Sequence, residues 1–123
     1  MKGLSTVAFI DDLTQNTELF SQILKELCGV AEVKTFNSGT EFLRNLQSGQ
    51  FALVLLDLEM PGMSGYQVYN ETRLIDPDVP IIALSGNWTH RNAAITHGFV
   101  EFVDKPIKDV RGFCDLIKIH LCN

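Results

Sequence analysis

Five residues of this 123-residue chain combine reactive types with telling positions: the adjacent pair Asp11-Asp12, then Asp57, Ser85 and Lys105. Each closes or follows a short apolar run. Asp11-Asp12 comes after Val7-Ala8-Phe9-Ile10, Asp57 after Ala52-Leu53-Val54-Leu55-Leu56, Ser85 after Val79-Pro80-Ile81-Ile82-Ala83-Leu84, and Lys105-Pro106 shortly after Phe99-Val100-Glu101-Phe102-Val103. Gathered in one place, the three carboxylates would repel, so either a cation joins them or at least one pKa rises. A small set of hard oxygen donors suits Mg²⁺, which keeps water in its octahedral shell and accepts phosphate oxygens. Lys105 as a point cation and Ser85 as a hydroxyl donor complete a site for a phosphoryl group. A carboxylate nucleophile, a metal, a lysine and a hydroxyl together make a constellation for phosphoryl transfer onto aspartate. Singly, each residue has a plainer explanation: an aspartate as a helix cap, a serine in a turn, a lysine in solvent. The argument rests on all five converging.

Convergence requires elements that bring strand ends together. The four apolar runs are continuous rather than alternating, which suits parallel strands covered on both faces. A fifth segment, Ala31-Glu32-Val33-Lys34-Thr35-Phe36, alternates and reads as an edge strand. Between them lie helical spacings. Phe20, Ile23, Leu24 and Leu27 share one helix face. Ser38-Gly39-Thr40-Glu41 opens a second helix with Phe42, Leu43 and Leu46, and Val68, Thr72 and Ile75 mark a third that Asp76-Pro77 stops. A fourth helix is expected over 88–97 and a fifth over 108–121, through Val110, Phe113, Ile117 and Leu121. Gly29, Gly49 and Gly98 stand where helices need a left-handed terminal residue. Five β-α repeats predict a doubly wound α/β sandwich, whose ligands bind beyond the carboxyl ends of the strands at the switch point of the strand order.

Composition narrows the function classes. The length matches one domain, 1–123, with 46% hydrophobic residues and no need of a stapling metal or disulfide. A net charge of −5 argues against a nucleic-acid or anionic-membrane surface. No apolar run approaches a membrane span, and Met1-Lys2-Gly3-Leu4-Ser5 lacks the apolar stretch of a signal peptide, so a cytoplasmic domain is expected. Cys28, Cys114 and Cys122 show no C-x-x-C spacing and are expected to be free thiols in a reducing compartment.

Asp11-Asp12, Asp57-Leu58-Glu59-Met60-Pro61-Gly62-Met63-Ser64-Gly65, Ser85 and Asp104-Lys105-Pro106 together resemble the signature of response-regulator receiver domains of two-component systems, the CheY-like fold. The resemblance spans the chain. It implies a five-stranded parallel (βα)5, flavodoxin-like sheet of order 2-1-3-4-5. It further implies that Asp57 is the phosphoacceptor for a histidine kinase or phosphotransfer protein, with slow self-dephosphorylation but no other enzymatic activity. Mg²⁺ would be held by Asp11, Asp12, Asp57 and the Glu59 backbone carbonyl. Ser85 would hydrogen-bond the phosphoryl group, Lys105 would pair with it across a cis Lys105-Pro106 bond, and Phe102 would turn inward when Ser85 moves. Glu59 and Asn87 occupy positions that in the family tune the phosphoryl lifetime. The output would be an effector protein or effector domain, reached through the 88–121 face, where Leu116 and Ile119 lie off the main stripe of the last helix and suit a partner or a homodimer.

Other readings carry less. An aspartate-nucleophile phosphatase places its nucleophile on the first strand with a second acid two residues on, whereas Asp11 and Asp12 are adjacent and no cap segment is present. A flavodoxin-like electron carrier needs hydroxyls and amides in its first loop, where Asp11-Asp12 would repel a phosphate. A phosphate-independent interaction module of the same fold is the remaining alternative. His90, His97 and His120 read as surface histidines, Trp88 as helix-start packing or a partner contact, and Gly62 and Gly65 as loop residues, since no G-x-x-x-x-G-K-[ST] occurs.

Overall fold

The computed structural model describes residues 6–121, so Met1–Ser5, Cys122 and Asn123 lie outside the described residues. Its order is β1 (Thr6–Ile10), α1 (Thr14–Glu26), β2 (Glu32–Phe36), α2 (Gly39–Asn45), β3 (Leu53–Asp57), α3 (Gly65–Ile75), β4 (Ile81–Ser85), α4 (Arg91–His97), β5 (Glu101–Asp104) and α5 (Val110–Leu121). All five strands are parallel, in the spatial order β2-β1-β3-β4-β5. The reversal falls between β1 and β3, where Ile10 stands opposite Leu56. The loops after β1 and β3 therefore leave the sheet in opposite directions and open a crevice there.

Continuous apolarity in the strands has the expected cause. Residues alternate between faces, and both faces are covered. Ala8, Ile10, Val54, Leu56, Ile81 and Ala83 pack with Phe42, Val68, Tyr69 and Ala94 of α2, α3 and α4. Val7, Phe9, Leu53, Leu55, Ile82 and Leu84 pack with Phe20, Leu24, Phe113 and Ile117 of α1 and α5. β2 lies at the edge, with Glu32 and Lys34 exposed.

Helix ends follow local chemistry. Ser38 Oγ accepts the Glu41 amide, but the Glu41 carboxylate takes the amide of Asn37, one residue before the cap. A full reciprocal box forms instead at Ser64 and Gln67, opening α3. Gly29, Gly49 and Gly98 have positive φ as the spacing predicts. The fourth helical segment divides into a 3-10 turn at Trp88–His90 and α4, with the Asn87 side chain capping the turn by accepting the Thr89 amide. α5 begins at Val110, two residues later than expected. Two stripe residues also depart from the periodicity: Leu27, the residue just past α1, and Ile75, the last of α3, stay exposed.

The free-thiol expectation is corrected. Cys28, just beyond α1, and Cys114 in α5 are joined in a disulfide, both buried in the α1/α5 layer. Nothing local signals this pairing, since the partners are 86 residues apart and meet only because α1 and α5 cover the same face. Closing so long a loop restricts the unfolded chain, an effect of about 4.6 kcal/mol in the chain-entropy account. Reduction should therefore lower the urea midpoint, with the unfolding free energy from the titration falling by up to about that amount. An unchanged midpoint on reduction would show that the pair contributes no covalent restraint.

Candidate functional site

Asp11 follows β1 directly and is fully buried at the crevice. Its Oδ1 accepts the Leu13 amide at 2.9 Å and its Oδ2 the Asn16 side-chain amide at 3.2 Å, so it also steadies the entry to α1. Asp12 beside it is exposed. Across the switch point Asp57 ends β3, only 2% exposed, and its Oδ1 accepts the Glu59 amide at 2.9 Å. Carboxylate oxygens of Asp11, Asp12 and Asp57 lie within 4.8 Å of one another. That is a hard-oxygen set of the size a divalent cation takes.

Lys105 reaches this set from the far side of β4. Its ammonium lies 2.9 Å from Asp57 Oδ2 and 3.8 Å from Asp11 Oδ2. Its backbone amide donates to the Ser85 carbonyl at 2.8 Å, and the following bond to Pro106 is cis, as the resemblance implies. One lysine does not compensate three carboxylates. Burial pushes the Asp57 carboxyl up from 3.8 to about 6. The Lys105 contact and the Glu59 amide oppose the rise, and the Asp11 charge adds to it. Burial is the main cause of that rise, and the charge of the neighbouring carboxylate is the smallest contribution.

Ser85 ends β4, beside Asp57 in the sheet since Leu84 is the register partner of Asp57, and is fully buried. Its hydroxyl donates to Glu59 Oε2, and the Asn87 amide donates to Ser85 Oγ at 2.9 Å. The other oxygen of Glu59, Oε1, accepts the Gly86 amide at 2.8 Å. Phe102 on β5 is buried at 5% exposure, with the Arg91 guanidinium 5.1 Å above its ring. It already occupies the inward position. Gly65 admits the start of α3 against the Asp57 loop, since a Cβ there would stand 2.6 Å from the Leu58 side chain.

The crevice thus unites Asp11, Asp12, Asp57 and Lys105, and places Ser85 beside them through Glu59 rather than through Asp57. Sequence reasoning singled out the backbone carbonyl of Glu59 and its position but missed its side chain as the acceptor for Ser85 and Gly86. It also missed Asn16, whose spacing of five from Asp11 is a single helical turn beyond the loop. His97 and His120 have partners, Asn70 at 2.8 Å and Glu101 at 3.1 Å. Trp88 is 71% exposed and packs little at the helix start.

A family profile described as the response regulator receiver domain matches residues 7–116. This chain belongs to that family. The receiver is 34% identical to the C4-dicarboxylate transport transcriptional regulatory protein DctD of Rhizobium meliloti, over 86% of this chain and 23% of that protein. It is 30% identical to the cyclic di-GMP phosphodiesterase response regulator RpfG of Xanthomonas campestris, over 91% and 31%. The chain therefore spans less than a third of either relative. Among solved structures, response regulator TrrA of Thermotoga maritima, determined in complex with Mg(2+)-BeF, superposes with a TM-score of 0.84 at 32% identity, covering 95% of this chain and 99% of that one. Receivers are phosphoacceptors that bind Mg²⁺ at an acidic site, and the Asp cluster here fits that chemistry.

The raised Asp57 pKa makes stability depend on pH. Between 3.8 and about 6 the folded chain retains a proton on Asp57 that the unfolded chain has lost. The stabilisation is whole below 3.8 and disappears as pH rises through 6. At pH 7 the ionised carboxylate then costs about 3 kcal/mol. Without divalent cation, Asp57→Asn should be more stable than wild type at pH 7 by up to about that amount, with the gap closing toward pH 4. Denaturant titrations at both pH values check this. A variant less stable at pH 7 would refute it.

Proposed function

We propose that Asp57 accepts a phosphoryl group from the phosphohistidine of a histidine kinase or phosphotransfer protein, and that the resulting charge is read at the α4-β5-α5 face. The observation that carries the reading is Lys105 at 2.9 Å from a buried Asp57 within a three-carboxylate cluster. At pH 7, above its pKa of about 6, Asp57 is largely ionised and nucleophilic. A carboxylate oxygen attacks phosphorus, the phosphorus–nitrogen bond of the donor breaks, and the imidazole leaves. Asp11, Asp12, Asp57 and the Glu59 carbonyl would hold Mg²⁺, which supplies charge neutralisation at the phosphoryl oxygens. Lys105 stays paired to the acceptor, and the Ser85 hydroxyl donates to the transferred group.

A groove of about 320 Å³ lies beside this lysine, lined by Asn16, Leu19, Phe20, Ile23, Pro106 and Ile107 as well as Lys105. Apolar walls next to the reacting lysine suit a donor helix that delivers its histidine to Asp57. On the opposite flank Trp88, Ile95, Val100 and Ile119 are exposed, and Leu116 is half-buried. These residues make the 88–121 face an apolar surface for an effector protein, an effector domain of the same polypeptide, or a second copy. Among the described residues no helix is long and apolar enough to cross a membrane. With a kinase as donor, we place the receiver in the cytoplasm, with no direct role for nucleic acid.

Ser85 and Phe102 form the switch in this reading. Exchange of partners at Ser85 moves the loop into α4, and Phe102, held under Arg91 on the adjoining strand, transmits it.

Incubation with Mg²⁺ and acetyl phosphate should add one phosphoryl mass to the wild type and none to Asp57→Asn. Lys105→Ala should lower the labelling rate about a hundredfold, the usual loss when one electrostatic stabiliser is removed. Equal labelling of Asp57→Asn would overturn the assignment, and no labelling of the wild type would favour the phosphate-independent module. Sedimentation with and without beryllofluoride tests the dimer: association on activation that Ile119→Lys abolishes is expected, and unchanged mass would rule it out.

A further inference from the structure

Glu59 makes contacts that the phosphoacceptor chemistry does not explain. Its carboxylate accepts at both oxygens, from the buried Ser85 hydroxyl at Oε2 and from the Gly86 amide at 2.8 Å at Oε1. A hydroxyl and a backbone amide converging on two oxygens of one anion form an anion cradle. Ser85 has an alternative acceptor in the Asn87 carbonyl at 3.2 Å, while the Asn87 amide fills its lone pair at 2.9 Å. The cradle stands over Asp57: Ser85 follows the register partner of Asp57, and the Glu59 amide itself donates to Asp57 Oδ1 at 2.9 Å. Any anion attached to Asp57 and bonded by Ser85 must meet the Glu59 carboxylate there.

We propose that Glu59 is a resident anion that occupies the phosphoryl cradle of the unphosphorylated receiver and must be displaced before Ser85 and Gly86 can hold a phosphoryl group. This rests on the phosphoacceptor reading above. Glu59 is exposed, so the displaced carboxylate is rehydrated outside the crevice. The incoming group carries more charge and is tethered to Asp57, which decides the exchange in its favour. Residue 59 thereby sets the affinity for the phosphoryl group through occupancy of its donors, in addition to the charge it brings to the site. Occupancy reduces apparent affinity by the fraction of molecules whose cradle is open.

The test is calorimetric titration of beryllofluoride into wild type, Glu59→Ala and Glu59→Gln at saturating Mg²⁺, with Mg²⁺ affinity measured separately for each. Glu59→Ala should bind the analogue about tenfold tighter than wild type if the cradle is closed roughly nine-tenths of the time. Glu59→Gln, with one oxygen left to accept, should gain distinctly less. Equal gains for the two variants would reduce Glu59 to a bulk charge and overturn the proposal, as would no gain in either. If wild type and both variants fail to bind the analogue while Mg²⁺ still binds, the phosphoacceptor reading falls, and this inference with it.

Discussion

Three carboxylates share one crevice with a single lysine, and much of the molecule is organised by that imbalance. Asp11 and Asp57 are buried almost completely, so water screens neither charge well. The protein answers with fixed donors: the Leu13 amide and Asn16 for Asp11, the Glu59 amide and Lys105 for Asp57. These do not suffice, and the residual cost appears as the raised pKa of Asp57. A site left short of positive charge in this way is preorganised for a cation, at a cost in stability.

The fold exists to hold that imbalance in place. Strand order brings β1 beside β3, which sets Asp11 against Asp57, and β4 beside β5, which lets the loop after β5 return over β4. The Lys105 amide bonded to the Ser85 carbonyl anchors that return. Behind the crevice, two apolar layers and a buried Cys28–Cys114 link make the sheet a rigid platform. Glu59, Ser85 and Phe102 meet at or beside its carboxyl edge.

Glu59 gives the crevice its individual character. Position 59 follows Asp57 by two residues, so its amide is committed to the Asp57 carboxylate, while its side chain reaches across to the end of β4. One residue thus links the end of β3 to the end of β4. Phe102 lies inward at the same time, under Arg91, so the loop and the aromatic ring are already packed together around the occupied cradle.

Much of this was determined by the sequence alone. Continuous apolar runs, helical spacings and post-helix glycines specify a doubly wound sheet because both signals are local and repeat with the period of the element. Acidic, hydroxyl and lysine residues at the ends of those runs then specify the edge at which they meet. Tertiary structure alone decided the rest. The Cys28–Cys114 bond depends on α1 and α5 covering one face, which brings together cysteines 86 residues apart, and the exposure of Leu27 and Ile75 appears only in the packed fold. The partner of Ser85 depends on the reach of a flexible glutamate across two strands, for which no spacing rule exists. Identity of residues follows from local pattern, whereas the pairing of charges and donors follows from distances that only the packed sheet defines.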